Sequence, residues 1–338
     1  FSESASDLTL AQAALMSGVV NNPSTFDPIL NPKNATSRRN IVLQRMADLH
    51  YISQAEADTA IASPLGLKVS DIPNGCATAS APFFCQYVVD EILNNSAYGA
   101  TYAARQQLLL RGGLIISTTL DTSMQKAAQS AVDTVVPPDP AKNAGLAAAI
   151  DMVDPKTGAI KAMAVDRAWG TGVGQTELNL AADAAHDGSS GRFAGSTFKV
   201  FVLAAALEQG IPVGTTINSP NSVTLPYGST TDCDGNKTDK WPVHNAGDSE
   251  SGLFNMEQAT WFSVNTYFAQ LEVKTGVCRP VQIAQSMGVM QSTGAPLQQI
   301  PAFTLGAEDV DPLSVAGAFG TFAKQGMFCT PQAITKVT

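Results

Sequence analysis

A mixed α/β fold, with a sheet flanked by helices, is what this sequence predicts, and three observations carry it. Two β-like runs, residues 146–153 and 159–165, are joined by Asp154-Pro-Lys-Thr-Gly158, whose Asp, Pro and Gly are the residues a tight turn selects, so they read as a hairpin. Helical signals dominate from Ser196 onward. Pro137-Pro-Asp-Pro140 denies both helix and sheet pairing, and is the clearest boundary in the chain.

In chain order, residues 8–64 read as helices around a proline-rich connection near residues 22–32, with Ser53-Gln-Ala-Glu56 as a capping box. Residues 65–142 mix a loop between Cys76 and Cys85, a helix over residues 84–93, a strand over 114–119 and a helix from Ser123. Beyond the proline boundary, residues 218–247 are rich in Ser, Thr, Pro, Asn, Asp and Gly and read as one long loop. Three domains are therefore expected, over residues 1–64, 65–142 and 143–338. The length of 338 residues and 44% hydrophobic content suit a folded chain with a substantial core.

Several function classes fall away on composition. No apolar run approaches the ~20 residues that span a bilayer, and Phe1-Ser-Glu-Ser-Ala-Ser lacks the order of a signal peptide. A formal charge of −9 disfavours a nucleic-acid partner, whose phosphates it would repel. With five cysteines in no C-x-x-C arrangement and three histidines, a metal site has little to draw on, and none is expected.

The chemistry concentrates at Ser196-Thr-Phe-Lys199, which follows Phe193-Ala-Gly195 and opens the apolar run 200–207. A serine and a lysine three apart share one helix face, so the amine can reach the hydroxyl and take its proton. Apolar surroundings disfavour the charged amine, which a basic lysine requires. Gly195 lets the chain turn into the helix and leaves Ser196 where free backbone N–H groups face a developing oxyanion.

Short matches of this kind also arise by chance. Ser123-Met-Gln-Lys126 has the same spacing but reads as a cap entering a surface helix. Ser263-Val-Asn265 is a polar island in an apolar segment, able to supply a proton relay and an amide-binding group, while spacing alone favours a helix cap there. Ser219-Pro-Asn221 lies among turn residues and reads as loop. Lys274-Thr-Gly276 closes an apolar stretch with the residues a helix C-terminus wants, and reads as a cap.

Taken together, these segments resemble the serine acyl-transferases that recognise penicillin, and more narrowly the bifunctional class A penicillin-binding proteins. The resemblance is an ordered series. Leu8-Thr-Leu-Ala-Gln-Ala-Ala-Leu-Met-Ser-Gly18, Asn22-Pro-Ser-Thr-Phe-Asp-Pro28, Arg38-Arg-Asn-Ile-Val-Leu-Gln-Arg-Met46 and Tyr51-Ile-Ser-Gln-Ala-Glu-Ala57 resemble the end of the family's glycosyltransferase domain. Arg111-Gly-Gly-Leu-Ile-Ile-Ser-Thr-Thr-Leu-Asp-Thr122 resembles the linker, Asp154-Pro-Lys-Thr-Gly158 the opening hairpin, and Gly195-Ser-Thr-Phe-Lys199 the nucleophile motif. Leu305-Gly306, Asp311-Pro-Leu-Ser-Val-Ala-Gly-Ala-Phe319 and Thr321-Phe-Ala-Lys-Gln-Gly326 resemble the helix beyond the site.

The resemblance implies a penicillin-recognising, β-lactamase-like domain with D,D-transpeptidase activity on peptidoglycan stem peptides. Ser196 would be the nucleophile, Lys199 its base, Ser263 the relay and Asn265 the substrate-amide contact, with no cofactor and with β-lactams as inhibitors. Competing readings are a serine β-lactamase-like hydrolase, for which no glutamate beside Leu-Asn follows Asn265, and a non-catalytic β-lactam sensor or scaffold. The family's third motif, a Lys-Thr-Gly strand, and its acidic glycosyltransfer residues are not found here, so a truncated chain or a second fragment carrying that strand is expected. An extracytoplasmic setting, membrane-held through an upstream anchor, is implied. Disulfides fit that setting: Cys76 and Cys85 bracket a short loop, Cys278 and Cys329 both come just after apparent helices, and these are the expected pairs, with Cys233 left over.

Overall fold

A computed structural model describes residues 1–69, 75–111, 113–143, 145–247 and 250–338, so that Gly112 of the linker-like run lies outside the described residues. The chain forms two compact units, Phe1–Pro73 and Asn74–Thr338.

The first unit holds α1 (Leu10–Val19), α2 (Pro32–Asp48) and α3 (Gln54–Ala62). Capping boxes at Thr9/Gln12 and Ser53/Glu56 start α1 and α3, each satisfying backbone donors that a helix start leaves free. Ala11, Ala14, Leu43 and Ala60 form the core. Buried Arg39 on α2 donates to the carbonyls of Ile61, Ser63 and Pro64, which satisfies acceptors at the end of α3.

The second unit opens with α4 (Pro82–Asn94), α5 (Tyr102–Leu110), β1 (Ile116–Thr118), α6 (Thr122–Val135) and a short α7 (Pro140–Asn143). The expected hairpin comes next as β2 (Ala149–Val153) and β3 (Ile160–Val165), antiparallel across the Asp154–Gly158 turn, where Asp154 Oδ1 and Oδ2 accept from Lys156 N–H and Thr157 Oγ1. The far edge of β3 is covered by α6. The Gln125 carboxamide exchanges two hydrogen bonds with the Met163 backbone, and Gln129 donates to Val165 O. Glutamine amides thus stand in for a neighbouring strand and protect an edge that would otherwise be exposed.

The helix α4 shares its core with later strands and helices of the same unit. Phe83, Phe84, Tyr87 and Val88 of α4 pack with Ile160, Met163 and Val165 of β3 and with Leu313 and Ala333. Short strands β4 (Ala168–Trp169), β5 (Gln175–Thr176) and β6 (Arg192–Phe193) lead to the helix α8 (Lys199–Glu208).

The segment read from sequence as one long loop contains structure. After β7 (Ile217–Ser219), β8 (Ser222–Leu225) pairs with β9 (Trp241–His244) as an antiparallel hairpin. Leu225 and Val243 are buried against Ala269, so a few apolar positions anchor a segment whose composition is that of a turn. Then come β10 (Gly252–Phe254), which pairs with β7, α9 (Met256–Trp261), α10 (Asn265–Thr275), α11 (Cys278–Ser286), β11 (Asp309–Val310), which pairs with β6, α12 (Pro312–Ala323) and β12 (Ile334–Val337), which pairs with β1.

The expected Cys278–Cys329 disulfide is not formed. Cys278 bonds Cys233, with Cα atoms 4.8 Å apart, and Cys329 is free. The loop beyond β8 folds back onto the start of α11, where Gln299 Oε1 accepts from Cys233 N–H, whereas Cys329 lies beside Lys324 Nζ and Lys156 O. Chain proximity, which position after a helix does not encode, decides the partner. Cys76 and Cys85 are joined, their Cα atoms 5.4 Å apart. Non-reducing peptide mapping is expected to recover 76–85 and 233–278 linked peptides and an alkylatable Cys329; a 278–329 peptide would contradict this arrangement.

Candidate active site

Ser196 sits in a 3₁₀ turn, Gly195–Phe198, that runs directly into α8. Gly195 has φ +63°, a conformation that strains any residue with a Cβ. The turn is held from behind by the stretch before β11. Gly195 N–H donates to Gly306 O and Ala194 N–H to Glu308 O, each at 3.3 Å. Gly306 itself sits at φ +68°, and a methyl group there would overlap the Gly195 backbone, so glycine is required for conformation and for approach. Phe198 packs on Phe201 and Phe303 with ring centroids 5.2 and 5.1 Å away. The result leaves Ser196 exposed and Lys199 buried, at 4% exposure.

Ser263 occupies a place where the backbone expects glycine. After α9, Ser263 N–H bonds Thr260 O and Val264 N–H bonds Ala259 O, a Schellman termination whose left-handed residue is Ser263, at φ +54°. A left-handed non-glycine residue costs about 1–2 kcal/mol, and such strain persists where a site needs the side chain. Here the left-handed turn aims both the carbonyl and the hydroxyl of Ser263 at one atom, Lys199 Nζ, at 2.5 and 3.0 Å. Ser263→Gly is therefore expected to raise the melting temperature while slowing any chemistry that uses the hydroxyl. Calorimetry beside penicillin labelling checks it; a lower melting temperature would mean the hydroxyl contacts outweigh the strain.

Lys199 Nζ also lies 3.1 Å from Ser196 Oγ and 2.6 Å from Asn265 Oδ1, with the Phe268 ring centroid 5.7 Å away. Two of its four polar neighbours, Ser263 O and Asn265 Oδ1, can only accept. A neutral amine has two N–H groups, so satisfying both acceptors leaves its lone pair for the hydroxyls. Burial lowers the Lys199 pKa to about 8, partly offset by the Glu250 carboxylate. The amine is thereby placed and tuned to accept a proton.

All four residues singled out from sequence thus meet at one point, drawn from the 3₁₀ turn before α8, α8 itself, the turn before α10 and α10. The capping alternative for Ser263 and Asn265 does not hold, because the residue before α10 is Val264 and no side chain of its own caps that helix. Asn265 instead donates through Nδ2 to His244 O, 2.8 Å away. Ser123 lies in the exposed first turn of α6, where its hydroxyl bonds the capping Asp121. Ser219 ends β7 with its hydroxyl turned to Ile217 O. Gly276 closes α10 at φ +73°, and Lys274 lines a different cavity with Thr216, Asn218 and Gln270, so the helix-end reading of Lys274-Thr-Gly276 stands. Two contributors were missed: Gly306, whose only sequence trace is the family-like Leu305-Gly306, and His244, whose contribution is a backbone carbonyl and has no residue signature.

Residues 148–338 match the model of the penicillin binding protein transpeptidase domain. The chain belongs to the penicillin-binding protein transpeptidase family. Residues 1–47 match the transglycosylase model. Penicillin-binding protein 1A of Mycolicibacterium smegmatis is 28% identical across the whole chain, which spans 40% of that relative's length. The solved structure of the PonA1 protein from Mycobacterium tuberculosis in complex with penicillin V is similar over 75% of this chain and 62% of that one, with TM-score 0.55 and 26% identity. Penicillin-binding protein 1A from Haemophilus influenzae covers all of this chain with 59% of its own, at TM-score 0.71 and 20% identity, a likeness of fold. The transpeptidase match includes Ser196, Lys199, Ser263 and Asn265.

Proposed function

We propose that this chain is the acyl-transfer part of a peptidoglycan D,D-transpeptidase, with Ser196 as nucleophile, and that it belongs to a bifunctional cell-wall synthase. The observation that carries the reading is the single amine, Lys199 Nζ, in contact with Ser196 Oγ, Ser263 and Asn265 together. Ser196 Oγ would attack the carbonyl between the two terminal D-alanines of a stem peptide while Lys199 takes its proton. Ser263 would pass that proton to the leaving amine, releasing D-alanine and an ester on Ser196. The amine of a second stem peptide would then attack the ester. Asn265 would hold the substrate amide. A β-lactam would acylate Ser196 because its strained amide copies the same carbonyl. No step calls on a cofactor.

A Lys-Thr-Gly strand beside Ser196 is part of the proposal, supplied by a segment other than Lys274-Thr-Gly276. Among the described residues β2 pairs only with β3, and the β2 residues Ile150 and Asp151 line a cavity of about 450 Å³ with Ala194, Thr197 and Phe319. Strands added at that edge would extend the sheet toward the nucleophile turn. The division into a glycosyltransferase piece over 1–64, a linker over 65–142 and a transpeptidase over 143–338, working outside the cytoplasm from an upstream anchor, belongs to the same proposal. Among the described residues no helix is long and apolar enough to cross a membrane.

Intact mass after incubating the full-length protein with benzylpenicillin, paired with an assay for D-alanine release from a stem pentapeptide, is the test. The expected result is one persistent adduct on Ser196 together with D-alanine release. An adduct without release would leave a sensor, rapid loss of the adduct with hydrolysed penicillin a hydrolase, and no adduct would end the reading.

A further inference from the structure

We propose that Asn245 is a positioning residue, which holds Asn265 toward Lys199 by capping the first turn of α10 from another segment of the chain. The proposal rests on the acyl-transfer reading above. A helix start leaves N–H groups without partners, and the residue before α10 is Val264, whose side chain cannot accept a hydrogen bond. Asn245, at the end of β9, supplies the acceptor. Its Oδ1 takes the Thr266 N–H at 2.9 Å.

The other polar groups of Asn245 hold it in place. Its Nδ2 donates to Glu250 O at 2.8 Å and to Pro220 O at 3.3 Å, and its backbone N–H donates to Asn221 O at 2.9 Å. Thr266 Oγ1 donates to the same Pro220 O at 2.9 Å. Residues 244–245 and 265–266 are therefore stitched side by side, because the neighbouring Asn265 donates through Nδ2 to His244 O.

This stitching has a chemical consequence. An amide side chain can present its oxygen or its nitrogen, and which one faces a partner depends on what the other end binds. With Nδ2 occupied by the His244 carbonyl, Asn265 must turn Oδ1 to Lys199, at 2.6 Å. Lys199 then meets an acceptor that engages one N–H, and its lone pair stays with the hydroxyls. Were Asn265 to turn its NH₂ to the amine, the lone pair would be consumed there and the base lost. Asn245 does not touch the reacting atoms. It fixes the register of the strand end and helix start on which that orientation depends.

The experiment uses full-length protein with Asn245→Ala, Asn265→Ala and the Asn245→Ala/Asn265→Ala pair, reading penicillin acylation rates and the hydrogen exchange of the Thr266 amide. Asn245→Ala is expected to slow acylation about 10²-fold, the scale of a misplaced group near a reacting centre. If Asn245 acts through Asn265, the double variant is no slower than Asn265→Ala alone. Multiplying effects or an unchanged rate in Asn245→Ala would each overturn the proposal. Failure of the unmodified protein to acylate would instead count against the function reading, and the amide then decides: exchange of Thr266 about fivefold faster in Asn245→Ala supports the cap, and unchanged exchange overturns it.

Discussion

Full-length protein carrying Ser196→Ala is expected to take up no covalent penicillin, while Ser123→Ala takes it up at the normal rate. The two serines share the same spacing to a lysine, so the comparison isolates what the fold adds. Ser196 lies on a turn clamped by Gly306, with a buried amine 3.1 Å from its oxygen. Ser123 lies on an exposed helix start with its hydroxyl committed to Asp121 at 2.6 Å. Removing Ser196 Oγ deletes the atom that forms the ester, and no rearrangement of neighbours replaces it. Because the side chain is exposed and small, the alanine variant should melt within a few degrees of the parent. Peptide mapping of the adduct checks the assignment. Label that persists on the Ser196→Ala protein would remove Ser196 from the mechanism.

Lys199→Met should lower the acylation rate by about 10³-fold, within the range general base catalysis supplies. The parent rate is expected to rise about tenfold per pH unit up to about 8, where the amine loses its proton, and then level off. In the methionine variant that limb should be absent. The stability consequence has the opposite sign from that of a favourable ion pair. Burial pulls the folded-state pKa below the ordinary lysine value, so between about 8 and 10.5 the unfolded chain binds more protons and stability rises with pH. Below that window the buried amine burdens the fold, and a neutral side chain of similar length relieves it. Lys199→Met should then melt no lower than the parent at pH 7, while acylation collapses. A variant that loses both together would identify Lys199 as a packing residue, and a parent rate flat between pH 6 and 8 would remove it as the base.

What was legible in the sequence depends on how locally each feature is encoded. The hairpin at Asp154–Gly158 depends on turn residues and alternating apolar positions within one short window, and it forms as read. The Ser196–Lys199 pair depends on helical spacing and on a glycine for one left-handed residue, again a local matter. The helix end at Lys274–Gly276 is of the same kind. Residues 218–247 were harder, since composition alone speaks for turns, and β8 and β9 exist because Leu225 and Val243 find Ala269 on a helix later in the chain.

The disulfide partner of Cys278, the contacts of Ser263 and the base strength of Lys199 were decided only by tertiary structure. Cysteine pairing depends on which loops approach one another, so Cys233 takes the place that chain position suggested for Cys329. Ser263 by its neighbours reads as a cap; the left-handed end of α9 instead turns its carbonyl and hydroxyl onto Lys199. The sequence by itself determined the residue types at the candidate site and their local spacing, because turns, caps and helix faces are settled within a few residues. Only the packing of α8 against α10 and the stretch before β11 could determine how those residues meet, because burial, donor and acceptor counts and a lowered lysine pKa are properties of atoms far apart in the chain and close together in space.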